Sequence, residues 1–199
     1  RIQASELQDK GVLANCHVNV LQTQDHPQFK TYGEELKWLT TDPTRMTWVA
    51  KTIQDIATSG NTLILVDRIS AGEILEKKIK DAVFVSGSTK NTDRKEQYDE
   101  VSTSQNKTII ATYGVAAVGI NIPRIFNLVL IEPGKSFVRV IQSIGRGIRK
   151  AEDKDSVQIW DITSSCKFAK RHLGARKKFY KEANYPYNIE KINYENPYT

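Results

Sequence analysis

The chain has 199 residues, 39% of them hydrophobic, with 29 Lys and Arg against 23 Asp and Glu for a formal charge of +6. A chain of this length makes one sizeable domain that buries about 70% of its unfolded surface, so disulfide or metal staples are not required. No apolar run approaches the roughly 18 residues of a membrane span, and the opening Arg1-Ile-Gln-Ala-Ser-Glu6 lacks the apolar stretch of a signal peptide. Cys16 and Cys166 are too few and too far apart for a disulfide framework or zinc site. Reduced thiols and a cytoplasmic home are expected, without metal chemistry. The missing initiator Met suggests a fragment or a processed chain.

Residues 1–33 read as an irregular linker, apart from a strand-like run at Cys16-His-Val-Asn-Val-Leu21. Asp42 and Pro43 mark a helix start, and Met46, Val49, Ile53 and Ile56 form its apolar stripe up to Gly60. Strand and helix then alternate. Thr62-Leu-Ile-Leu-Val66 is a buried strand, and Ser70-Ala-Gly-Glu73 reads as a capping box opening a helix through Ile79. Strands follow at Ala82–Val85, Thr108–Ala111, Leu128–Ile131 and Val157–Trp160. Helices are expected at about 92–102, from about Phe137, and at about 165–183. Residues 184–199 are too polar and aromatic to be more than a docked tail.

Strands that are apolar on both faces and alternate with helices predict an α/β fold with a doubly wound, mostly parallel sheet. In such a sheet, ligands bind beyond the carboxyl ends of the strands. Those positions hold Asp67-Arg68, Ser86-Gly-Ser-Thr89, Thr112-Tyr-Gly114 and Glu132-Pro-Gly134, rich in the small and hydroxyl residues that suit phosphate.

Two local patterns stand out. On a helix, Gln142, Arg146 and Arg149 share one face, while Phe137, Ile141, Ile144 and Ile148 occupy another. Paired guanidinium forks suit a transferring phosphoryl group, although the same arginines could simply complement a helix C-terminus. In Ile109-Ile-Ala-Thr112-Tyr-Gly-Val-Ala-Ala-Val-Gly119-Ile-Asn121-Ile-Pro123, a strand end leads through a small-residue turn to a reversal at Gly119. An ordinary strand–helix crossover would read the same way. Charge is also uneven. Residues 163–199 carry eight basic and three acidic residues, including Lys170, Arg171, Lys177 and Lys178. Such a segment can bind a phosphate backbone, or be a solvated helix face.

In this order the patterns resemble the second, C-terminal RecA-like domain of superfamily 2 helicases and translocases. Ala111-Thr112…Gly119-Ile-Asn121-Ile-Pro123 looks like motif V and Gln142-x-x-Gly145-Arg146-x-x-Arg149 like motif VI. Leu63–Arg68 fits motif IV more loosely, and Val85-Ser-Gly87-Ser88 with Arg94 fits the loop and helix after it. The wording of Val115–Arg124 and Ser143–Arg149 is similar to phage recombination helicases. The resemblance covers about residues 61–162. It implies residues 34–163 as the RecA-like domain, 1–33 as a linker from an N-terminal motor domain, and 164–199 as a basic helix and Tyr-rich tail.

It further implies that Arg149 is an arginine finger, with Arg146 and Gln142 facing the γ-phosphate of ATP, and that Gly119 and Asn121 line the nucleotide. Thr112, Gly87, Ser88 and Arg68 would hold backbone phosphates of a nucleic-acid strand, although Arg68 could instead pair with a nearby carboxylate. The sequence has no Gly-x-x-x-x-Gly-Lys-Ser/Thr cradle and no acidic box after a strand. ATP with Mg would therefore be held mainly by an N-terminal RecA-like partner domain. The expected activity is that of half an ATP-dependent DNA helicase acting on branched DNA. The competing readings are a non-enzymatic nucleic-acid-binding or annealing module, and a duplex translocase that does not separate strands.

Overall fold

In the computed structural model, residues 16–85, 106–118, 125–135, 137, 140, 141 and 157–194 are described. The first half runs β1 (Cys16–Thr23), α1 (Tyr32–Thr41), α2 (Pro43–Ala57), β2 (Thr62–Val66), α3 (Ile69–Lys78) and β3 (Ala82–Val85). The second runs β4 (Thr108–Thr112), α4 (Tyr113–Ala117), β5 (Asn127–Ile131), β6 (Val157–Ser164), α5 (Lys167–Glu182) and β7 (Tyr187–Ile192). The strands form one sheet in the order β3-β4-β2-β5-β6-β1-β7. Every pairing in it is parallel.

Period-two alternation divides each strand between two cores. In β2, Ile64 and Val66 face α2 and α3, joining Met46, Val49, Ile53 and Leu75. Leu63 and Leu65 face the other way, toward Phe137, Ile141, Leu173 and Tyr180. Helices thus cover both faces, which is why the central strands are apolar throughout. The expected doubly wound α/β architecture is the one observed.

Four details differ from the sequence reading. The run at Cys16 is an inner strand, paired with β6 on one side and β7 on the other. The segment from residue 16 is therefore built into the sheet. The tail forms edge strand β7, whose exposed residues need a backbone partner on one side only. Helix α1 was not anticipated, yet Thr31-x-x-Glu34 is a sequence signature for its start, and the Thr31 hydroxyl accepts from Glu34 N. Helix α3 begins at Ile69, with Arg68 at its N-cap and no side-chain cap bond, so the proposed box at Ser70 does not form. The chain turns into this helix directly after β2. Gly72 in its first turn lies flat against Phe84, where a Cβ would come within 2.4 Å of the ring.

The α2 start is as expected: the Asp42 carboxylate accepts from Arg45 N at 3.0 Å and Pro43 sits at the first helical position. Cys16 and Cys166 are both buried thiols, and burial pushes them up to about 12 and about 11. Among the described residues, no helix is long and apolar enough to cross a membrane, and no cluster of His, Cys, Asp or Glu could hold a metal ion. The expected helices at 92–102 and beyond Ile141 lie outside the described residues.

Candidate functional site

The carboxyl ends of β2, β4 and β5 lie side by side, because β2 pairs with both of the others. Thr112 is opposite Val66 in the register, so Asp67 and Arg68 follow directly beside it. The Thr112 hydroxyl accepts from Val115 N at 3.2 Å and caps α4. Its own O–H remains available to donate to an incoming acceptor. Arg68 Nε donates to Asp67 Oδ2 at 2.8 Å, and the arginine side chain is 36% exposed. The alternative of a local carboxylate partner is therefore realised, with a neighbour in sequence and at a half-exposed position. Asp67 Oδ1 is buried without a hydrogen-bond partner.

Behind this rim lies a layer of buried charge. Arg45 is fully buried and spends its donors on Thr23 Oγ1, Leu39 O, Thr163 O and Glu132 Oε1, the last at 2.8 Å. Asp25 approaches the same guanidinium at 3.7 Å and accepts from Thr23, Ser164 and Tyr194. Glu132 sits in the left-handed backbone region at φ 44, and burial pushes its carboxyl up to about 7 against the opposing pull of Arg45 and Arg176. A left-handed non-glycine residue costs about 1–2 kcal/mol, and the Arg45 and Thr163 bonds hold Glu132 there.

A second buried arginine grips the same turn from the opposite face. Arg176 places its fork on Asp161 at 2.8 and 2.9 Å and donates from Nη1 to Gly134 O at 3.1 Å. The Tyr180 hydroxyl donates to the same carboxylate at 2.6 Å. Burial acts to lower the Arg176 pKa, but the charge and hydrogen bond of Asp161, with the charges of Tyr180 and Glu132, together raise it. Arg176, counted in the sequence among the basic C-terminal residues, is thus a core residue and no part of a solvated face.

Helix α5 buries Ala169, Leu173, Arg176 and Tyr180. Glu35 from α1 caps its N-terminus, accepting from Phe168 N at 2.9 Å and Ala169 N at 2.8 Å. Lys170, Arg171 and Lys178 are exposed and Lys177 is half-buried. Lys170 and Lys177 lie two turns apart on one flank, and Arg171 and Lys178 point away from the sheet. These four are not gathered with Thr112 and Arg68, since α5 packs on β6, two strands from β2. Gly87, Ser88, Gly119, Asn121, Gln142, Arg146 and Arg149 lie outside the described residues. The helical residues Phe137, Val140 and Ile141, just before the last three in the chain, are described. They are buried in the core, as the apolar face of a helix requires.

The buried charges Arg45, Asp25, Asp161 and Glu35 were not singled out from the sequence, and Glu132 was read there only as a strand-end position. A signal existed for one pair. Asp161 is in period-two phase with Val157 and Ile159, and Arg176 is in helical phase with Ala169 and Leu173, so each charge falls on an apolar stripe.

Comparison with known proteins agrees with this arrangement. The helicase conserved C-terminal domain matches residues 44–151. The ATP-dependent DNA helicase uvsW of Enterobacteria phage T4 is 27% identical over 189 residues, covering 89% of this chain and 38% of that protein. A putative helicase 22 of a Sulfolobus islandicus filamentous virus is 31% identical over 104 residues, covering 50% of this chain and 18% of its own length. The crystal structure of T4 UvsW superposes with a TM-score of 0.76 at 22% identity, over 90% of this chain and 42% of that one. The Escherichia coli DEAD-box protein SrmB superposes at 0.62 with 16% identity, over 94% and 96% of the two chains. The chain thus spans well under half the length of the curated relatives it matches. It belongs to the helicase conserved C-terminal domain family, and its fold is that of a RecA-like helicase domain.

Proposed function

We propose that this chain is the C-terminal motor half of an ATP-dependent DNA helicase that acts on branched DNA, such as junctions, forks and R-loops, in recombination, replication and repair. The observation that supports the reading is the pairing of β4 with β2, which sets Thr112 opposite Val66, two residues before Arg68, at the carboxyl end of the sheet. A hydroxyl and a half-exposed guanidinium in adjacent positions hold a phosphate backbone without reading bases. Gly87 and Ser88 would extend that track. Asp67 holds Arg68 in register until phosphate displaces it.

The nucleotide side rests on helical phase. Phe137, Val140 and Ile141 are buried, and a helix continued from them at 3.6 residues per turn would turn Gln142, Arg146 and Arg149 outward. Two guanidinium groups and an amide on one face fit a terminal phosphate and its charge. When bound, ATP with Mg would supply the phosphoryl-transfer energy, held mainly by an N-terminal RecA-like domain that carries the cradle lysine. In this reading Arg149 is the arginine finger, Arg146 and Gln142 orient the phosphate, and Gly119 and Asn121 line the nucleotide. The work is done in the cytoplasm, where the two buried thiols stay reduced.

ATP hydrolysis by the complete protein, with and without a four-way DNA junction, tests the reading. Junction-stimulated turnover is expected; junction binding with no turnover would point to a plain binding module.

A further inference from the structure

The turn after β5, gripped by Arg45 and Arg176, carries Lys135 into a second cationic patch at the same end of the sheet. A Cβ at Gly134 would lie 3.2 Å from the Tyr32 hydroxyl, so the start of α1 rests on this turn. The Tyr32 ring meets His172 of α5 edge-on, with centroids 4.7 Å apart, and remains 37% exposed. One position earlier, the Arg171 guanidinium lies 5.6 Å from the centre of the Phe168 ring, which itself flanks Tyr32 at 6.3 Å. Residues from three separate elements therefore converge: Tyr32 from α1, Lys135 after β5, and Arg171 and His172 from α5.

The charge of this patch is unbalanced. Of the nearby carboxylates, Glu132 pairs with Arg45, Asp161 with Arg176 and one oxygen of Asp67 with Arg68, and Glu35 accepts from the α5 backbone. Among the described residues, Lys135 and Arg171 form no ion pair. Burial, then the charges of Lys135, Arg176 and Arg171, lower the His172 pKa. Uncompensated cations beside an exposed aromatic ring are the surface that a single nucleic-acid strand uses, with phosphates on the cations and a base on the ring. The patch lies at the same carboxyl end as the rim already described, since β5 pairs directly with β2.

We propose that Lys135, Arg171 and His172, with Tyr32 as a stacking face, form a further contact site for a nucleic-acid strand, continuing the path that begins at Thr112 and Arg68. The proposal rests on the reading that the carboxyl end of the sheet carries such a strand. It adds residues that lie outside the motifs, on the β5 and α5 side of Arg68. The β7 edge of the sheet supplies a charge-matched control. There a groove of about 760 Å³ between α2 and β7 holds Lys51 and Lys191, but Asp55 and Glu190 line it as well.

The test is fluorescence anisotropy of this chain with fluorescein-labelled oligothymidine. Lys135→Gln with Arg171→Gln should weaken binding about tenfold and lower the salt slope by about 0.7 for each lost phosphate contact. Tyr32→Leu should weaken binding about tenfold with the salt slope unchanged. Lys51→Gln with Lys191→Gln removes the same charge and should have little effect. Equal losses from the two double variants would mean that only net charge is sensed, and the proposed site falls. Arg68→Gln separates the two levels. If it weakens binding while the Lys135 and Arg171 pair does not, the added site alone is wrong. If neither matters, or the chain does not bind the strand, the track at the carboxyl end fails with it.

Discussion

Arg45 Nη2 donates to Glu132 Oε1 at 2.8 Å, which ties the first turn of α2 to the left-handed residue just after β5. From the other face of the sheet, Arg176 holds Gly134 O two residues on. Two buried guanidinium groups thus fix a three-residue turn, and the helix that would present Gln142, Arg146 and Arg149 starts directly beyond it. The geometry of the proposed catalytic face depends on this turn.

Glu132 makes the turn sensitive to pH. Its carboxyl is raised from 4.5 to about 7, chiefly by burial. Between those values the folded state holds a proton that the unfolded state has released, so stability falls as pH rises through the window. Comparing urea midpoints at pH 5 and pH 8, the wild type should lose more stability than Glu132→Gln, by on the order of 2 kcal/mol. A variant with the same pH drift as the wild type would show that Glu132 does not titrate there.

Arg176 tests the cost of an orphaned charge. Arg176→Ala would leave the fully buried Asp161 carboxylate with only the Tyr180 hydroxyl, and should cost about 3–5 kcal/mol in urea denaturation. Arg176→Ala combined with Asp161→Ala should recover part of that loss, because no unpaired charge then remains. A double variant less stable than the sum of the singles would contradict this account.

What the sequence made legible follows from periodicity. The five strands from Thr62 to Trp160 and the helices at Asp42 and Ser165 carry strong apolar phase, and all of them formed. Helix α1 was hidden by a weak stripe, with Glu35 among its buried residues as an acceptor for another helix's N–H groups. Strand β7 was hidden because an exposed edge strand needs no apolar alternation. Thr112 and Arg68 were legible as strand-end residues, but their adjacency was not, since it depends on β4 crossing back to pair with β2. Lys135, Arg171 and His172 converge only in three dimensions.

The four basic residues of α5 can be separated by salt dependence. Neutralising Lys170, Arg171, Lys177 and Lys178 together should weaken binding to all DNA sequences alike and flatten the salt slope by about 0.7–0.9 per lost contact. If only Arg171 sits on the path, as its place beside Phe168 and His172 implies, the slope should fall by one contact rather than four. A fall of four would place the whole outer face of α5 on DNA.

The isolated chain should fold cooperatively yet show no ATP hydrolysis. Its sheet and both cores are in place, but its sequence lacks the cradle lysine and acidic box. A purified sample whose turnover persists through successive columns and disappears with Arg149→Ala would overturn this expectation.

Arg149 and Ile141 provide the sharpest contrast, because Ile141 lies in the core while Arg149 is proposed to face the nucleotide. Arg149 is proposed to meet charge that develops only during phosphoryl transfer. In the complete protein, Arg149→Ala should therefore lower kcat by about 10³-fold or more, while nucleotide-free DNA affinity hardly changes. Arg149→Lys should not restore turnover, since an ammonium group cannot reproduce the planar fork. Ile141 is buried to 1% exposure, and Ile141→Ala should cost about 2–5 kcal/mol of stability. Below its lowered melting temperature, that variant should keep a kcat near the wild-type value, because the side chain removed lies in the core and does not meet the nucleotide. Steady-state ATPase measurements paired with thermal melts of the same samples separate the two effects. If Arg149→Ala instead lowers the melting temperature and leaves kcat intact, Arg149 is a charge that complements the helix end, and the nucleotide face must be sought elsewhere on the domain.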